Sequence, residues 1–341
     1  MLPPSIRPRR LAADFPPRLI FVVDTEEEFD WSEMFSRQAT SVRHMARICK
    51  LQDICEAHQV RPTYVVDSSI ATQADAWRPL RKLMEENRAL IGAHLHAWVT
   101  PPYDEALSRP NSYQGNLPPR LEHAKLANLT SQISDSFGSR PVVFKSGRIG
   151  MGPRTLSTLG ELGYKIDLSP APAFDSSEDG GPDYSELECH PFQDEASGLL
   201  VLPWTGALLG WTPANPIALR RWAISSWRPK VRMLGILYRS KAIRRLHLTP
   251  EGYSAQQMIE LTRRLFDRGH HCFVASMHSP SVMPGGTPYA RTDGDVETML
   301  ATLKRYMSFF FGEFGGEPWD PLAAFDHWSR KPEWAVPAGK N

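Results

Sequence analysis

Short apolar runs alternate with stretches of helical spacing along most of the chain, and no other feature of the sequence restricts its fold as much. RLIFVVD ends a first strand at Asp24, and Val42, Met45, Ala46, Ile48, Cys49 and Ile54 then fall near helical spacing within residues 40–58. PTYVVD (62–67) and ALIGAHLH (89–96) read as the second and third strands, with a helix over 71–88 between them. Helix 119–137, strand 141–147, helix 153–162 and strand 164–169 continue the pattern. It resumes with helix 253–269, strand 271–278 and a last helix over about 292–311. Such alternation implies parallel strands with helices packed outside them. At least six units suit a closed or nearly closed α/β barrel better than a small open sheet, which stays open as an alternative. Residues 170–250 break the rhythm and read as a helical, basic insertion, not an independent domain. The expected organisation is a tail over 1–17, a barrel over 18–312 carrying that insertion, and an extension over 313–341.

Of the 341 residues, 41% are apolar, enough for a full-sized core. Thirty-nine Lys and Arg face 38 Asp and Glu, so net charge gives no sign of a nucleic-acid partner, and no nucleic-acid-binding motif appears. Cys49, Cys55, Cys189 and Cys272 have neither metal-knuckle nor C-x-x-C spacing; they read as reduced thiols, which suits the cytoplasm. The opening MLPPSIRPRRLAADFPPR holds no apolar run of signal-peptide length, and no stretch reaches the roughly 18 apolar residues of a membrane helix. One charge pattern stands out. Within 220–247, Arg221, Arg228, Lys230, Arg232, Arg239, Lys241, Arg244 and Arg245 occur without an acid, interleaved with Trp222, Trp227, Leu234, Ile236 and Leu237. The plain expectation is a solvated face on a helical hairpin. The sharper one is peripheral contact with an anionic glycan, a lipid-linked sugar or an anionic membrane.

The chemically unusual side chains fall at strand ends, where α/β barrels place their active sites. Asp24 and Glu26 end the first strand, His94 and His96 the third, Lys145 and Arg148 the fourth, Asp167 the fifth, and His278 the last. VVDTEEEFDW puts four acids in five positions, and mutual repulsion there calls for water, a cation or protonation. A solvated acidic loop is the bland alternative, less so for Asp24, which directly ends a buried strand. In extended backbone His94 and His96 point to one face, so their imidazoles can share a metal ion. A carboxylate from the first loop would complete three protein ligands and leave a position open for water, the pattern of catalytic zinc sites.

The order of VVDTEEEFDW, PTYVVD, IGAHLHAWVTPPY, NSYQGNLP, FKSGRIGMGPRTLSTLGELGYKIDLS and MHSPSVMPGGTPY resembles the NodB-type polysaccharide deacetylases, most closely the WalW-like branch. The likeness spans about 18–310. It implies a distorted (β/α)7-type barrel and one divalent metal, zinc or alternatively cobalt or nickel. By this resemblance Asp24 looks like the catalytic base and Glu26 takes the place of the metal-binding acid. His94 matches the first metal histidine, and His278 the general acid. Arg148 and Asp167 resemble the supporting motifs in which an arginine helps hold the base. Trp98, Tyr103 and Lys145 are expected to contact substrate. The chain departs from the family pattern in three places: D-T-E replaces adjacent aspartates, Trp98 stands where the second histidine is usual, and Lys145 where arginine is common. The implied activity is removal of N-acetyl or O-acetyl groups from a polysaccharide or its precursor. Two alternatives remain: a glycoside hydrolase using paired carboxyl groups on a related barrel, and a barrel that binds sugar without turnover.

Overall fold

The computed structural model describes residues 6–211, 216–225 and 233–329. Trp227, Arg228, Lys230 and Arg232 of the basic run lie outside them. Strands β1 (Ile6–Pro8), β2 (Arg18–Thr25), β3 (Thr63–Val66), β4 (Leu90–Leu95), β5 (Val143–Ser146), β6 (Ile166–Asp167), β7 (Phe192–Asp194), β8 (Leu200–Val201), β9 (Gly206–Leu209), β10 (Arg244–His247), β11 (Cys272–His278) and β12 (Glu317–Trp319) follow in chain order. Seven of them form the parallel series β8-β6-β5-β4-β3-β2-β11. The sheet curls into a half-barrel, the expected α/β class. β8 and β11 do not pair along their length; Thr205 and Leu248 bridge the gap, each exchanging one backbone hydrogen bond with β11 at 3.0 Å.

Strand alternation sorts the core into two layers. Ile20, Val22, Val65, Val143, Ile166, Leu200 and Val274 fill the barrel interior and meet Trp328 below. Leu19, Phe21, Val23, Tyr64, Val66, Phe144, Phe273 and Ala275 face outward under the helices. Full burial of such side chains contributes roughly 1.5–3 kcal/mol each. The helix predicted over 119–137 is found at those bounds, Pro119–Phe137. Proline at its first position and Gly138 at φ 74° explain both ends. Its buried Leu126, Leu129 and Ile133 belong to the outer layer.

The stretch at 170–250 is more than an insertion. It supplies β8, a strand of the barrel itself, together with the β9–β10 ribbon; residues 244–247 are strand, not helix. Three of its described arginines find acids: Arg220 pairs with Asp175 and Arg221 with Glu186 inside the stretch, and Arg244 with Glu260 beyond it, while Arg245 lies over the Phe174 ring at 4.3 Å. The terminal regions join the sheet too, β1 antiparallel to β7 and β12 parallel to β2. No described helix is long and apolar enough to cross a membrane.

Candidate active site

Register brings the strand-end residues together. His278 lies opposite Asp24 in the β11–β2 ladder, and His94 opposite Lys145 in the β4–β5 ladder. β2 and β5 are not neighbours, yet Lys145 Nζ reaches Asp24 Oδ1 at 2.7 Å and Oδ2 at 2.6 Å across the curled mouth. Ser276 accepts the third Lys145 proton at 2.8 Å. Burial disfavours the Asp24 charge, but Lys145, His94 and His278 together hold its carboxyl below the ordinary value, so it is ionised at neutral pH.

Beside this pair stands Glu26. Its Oε2 lies 3.3 Å from His94 Nε2 and 3.2 Å from His96 Nε2, and its Oε1 is buried without a partner. The candidate ligand atoms of the three residues all lie within 4.8 Å of one another. The opposite ring nitrogens are engaged: His94 Nδ1–H donates to the Lys145 carbonyl at 3.0 Å, and His96 Nδ1–H to Glu27 Oε2 at 2.9 Å. That pattern orients each Nε2 lone pair inward, as metal-binding histidines require. Burial opposes a charge on His96, but Glu27 and Glu26 raise its proton affinity well above the usual value, and the same pull favours a cation at Nε2. Two imidazoles, one carboxylate and an orphaned buried oxygen fit a divalent transition metal.

Glu27, Asp67 and His96 make a second close group. There burial and the adjacent Glu27 hold the Asp67 carboxyl far above the carboxylate range, so it keeps its proton. This group is a hydrogen-bonded support for His96. Trp98 Nε1–H completes it, donating to Glu27 at 2.7 Å.

His278 completes the constellation. Nδ1–H donates to Glu251 Oε2 at 2.7 Å, and Nε2 faces Asp24 Oδ2 at 3.9 Å. Burial alone would lower its pKa; Glu251, Glu26 and Asp24 outweigh burial and raise it to about 9. These residues open onto a cavity of about 390 Å³ whose walls include Trp31, Arg148, Trp204, Arg245 and Tyr289. Its aromatic walls can stack on a ligand that places one reacting group over Asp24, Glu26 and His278.

The other five expected site residues take the following positions. Arg148 does not hold Asp24: it bonds Ser112 and Asp179 at 2.6 and 2.9 Å and stacks on Tyr113 at the rim, and the role of holding the carboxylate falls to Lys145. Lys145 is correspondingly tied to Asp24. Asp167 points to the opposite face from Ile166 and Leu168, does not line the cavity, and is pushed by burial to a pKa of about 7. Trp98 is buried against His96, ring centroids 4.2 Å apart, behind the cavity wall. Tyr103 bonds the Val99 carbonyl away from the cavity. Sequence reasoning missed Glu27, Asp67, Ser276 and Glu251. Asp67 carried a usable signal, an acid directly ending the strand PTYVVD.

No protein-family model and no curated protein matches the chain. Solved structures do. A provisionally assigned polysaccharide deacetylase from Mycobacterium smegmatis aligns over 99% of this chain and 100% of its own, at 15% identity and a TM-score of 0.53. Puue allantoinase aligns over 93% and 92%, at 13% identity and 0.52. A provisionally assigned polysaccharide deacetylase from Pseudomonas aeruginosa PAO1 gives the same coverage at 16% identity and 0.51. The fold is shared with all three.

Proposed function

We propose that the chain is a metal-dependent hydrolase that removes acetyl groups, N-linked or O-linked, from a carbohydrate, in the WalW-like branch of the NodB-type deacetylases. The observation that carries this reading is Glu26 Oε2 within 3.3 Å of two Nε2 atoms, with Asp24 and His278 paired in register beside it. Glu26, His94 and His96 would hold the ion, which when bound polarises a carbonyl and lowers the pKa of water. Asp24, ionised and steered by Lys145, takes the proton of the attacking water. His278, held protonated by Glu251, gives a proton to the leaving amine or alcohol. Acid–base assistance of this kind contributes about 10²–10⁴-fold. The cavity aromatics Trp31 and Tyr289 offer stacking faces for sugar rings.

A two-carboxyl glycoside hydrolase is less well supported. It needs one protonated carboxyl group in the cavity. Asp24 and Glu26 are both held below the ordinary carboxylate range, and Glu251 is occupied by His278.

The test is acetate release from N-acetylated chito-oligosaccharides and O-acetylated xylan by zinc- or cobalt-loaded protein, with allantoin as a control for the shared fold. Asp24→Asn and His278→Ala are expected to lose at least 100-fold in rate and retain metal, whereas Glu26→Gln loses the metal. Acetate release that persists through chelation would sink the reading, as would metal-loaded protein that is inert towards every acetylated sugar.

A further inference from the structure

A second cavity, of about 660 Å³, shares no lining residue with the first. His270, two residues before β11 begins, lies in its wall, so roughly 25 Å of extended chain separates it from His278. Arg10, Arg264 and Arg268 stand at its mouth, all exposed. Among the described residues none of the three side chains has a hydrogen bond or ion pair. This is unlike Arg220, Arg221 and Arg244 nearby in sequence, each of which finds an acid.

Behind the arginines stand two histidines. His270 is buried, and its Nδ1 lies 3.4 Å from His190 Nδ1. Burial is the main reason both imidazoles stay neutral, and the charge of Arg10 adds to it in each case. The one acid in the described wall, Glu188, is exposed and no closer than 4.0 Å to His190. The described wall therefore carries three arginine charges against one exposed carboxylate, an excess of positive charge. Much of its remaining wall is apolar, with Leu187, Leu208, Leu209, Ile217 and Leu265.

A guanidinium presents parallel N–H donors that match the oxygens of a phosphate, and several together suit a dianion. We propose that this cavity binds an organophosphate. The phosphate dianion is held by Arg10, Arg264 and Arg268, and an apolar body lies against Leu208, Leu209 and Ile217. The proposal is independent of the hydrolytic reading.

Isothermal titration of the full chain with n-octyl phosphate tests it, with inorganic phosphate and n-octanol as separate arms. The expected result is one saturable site for octyl phosphate, at least tenfold weaker binding of inorganic phosphate, and no binding of octanol. Arg264→Ala/Arg268→Ala weakens octyl phosphate at least tenfold, and the Lys/Lys pair restores part of the loss. In the unmodified protein, pyrophosphate displaces octyl phosphate, which tests the charge requirement without any variant. Absence of a saturable site, unchanged affinity in the Ala pair, failure of pyrophosphate to compete, or equal affinity for inorganic phosphate would each overturn the proposal.

Discussion

Glu251 collects three donors from one short stretch of chain: the His278 ring, the His278 backbone N–H at 3.1 Å, and the Ser281 hydroxyl. It thereby orients the imidazole and keeps it protonated. Removing the negative charge withdraws the largest contribution that raises the His278 pKa, while the burial that lowers it stays. Glu251→Gln should therefore move the alkaline limb of the kcat/KM profile to lower pH, by at least one unit, in holoprotein assayed across pH 5 to about 10. A limb that stays in place while the rate falls equally at every pH would reduce Glu251 to a structural support. Nothing in the sequence pointed to this residue. TPEGY reads as a loop, and its carboxylate meets His278 across 27 positions. The Asp24 and His278 pairing was legible, because both directly end strands that the fold sets side by side. Which cation would hold Asp24 was not, since Lys145 and Arg148 lie three positions apart and only the backbone path decides between them.

At the scale of the element, the end of β4 is the part of the site most fully written in the sequence. Alternation alone sends His94 and His96 to one side. It does not say which of three consecutive glutamates meets them. Glu26 takes the Nε2 side of both rings, Glu27 grips His96 from behind, and Glu28 turns away to the His44 backbone at 2.8 Å. The strand ends can approach this closely because Gly147, just past β5, has no side chain. A Cβ there would meet His96 Cδ2 at 2.3 Å and the Leu95 carbonyl at 2.5 Å. One contact is with a flexible ring, the other with backbone that no rotation relieves, so β4 and β5 must part and His96 must shift as well. Gly147→Ala is predicted to weaken zinc binding at least tenfold, measured by competition with a chromophoric chelator, and to cost about 1–3 kcal/mol of stability. Wild-type zinc affinity in this variant would mean that His96 contributes nothing to the metal site.

The barrel is held together by unequal means around its circumference, and its weakest seam governs the position of His278. Six strands were legible from apolar runs. The seventh, β8, has two residues, and no pattern of period two can be read from two positions. That is why 170–250 looked like an insertion although it supplies a stave of the barrel. Between β8 and β11 no ladder forms, and Thr205 does the joining. Its N–H donates to the Val274 carbonyl at 3.0 Å, its hydroxyl oxygen accepts the Val274 N–H at 2.8 Å, and its carbonyl accepts the Leu248 N–H at 2.9 Å. Leu248 in turn accepts the Ser276 N–H at 3.0 Å, two residues before His278. Thr205 and Val274 are both buried, so no water replaces a lost partner. Thr205→Val keeps the side-chain shape and strands the Val274 N–H. The expected cost is about 1–3 kcal/mol in urea unfolding, the penalty of one buried unsatisfied donor. Thr205→Ser, which restores the oxygen, should recover most of it. Hydrogen exchange localises the effect: the Val274 and Ser276 amides should lose protection in the valine variant, while amides of β3 and β4, inside the continuous ladder, keep theirs. A loss spread evenly over the sheet would mean that the seam opens only with the whole barrel and that β11 is not independently mobile at its carboxyl end.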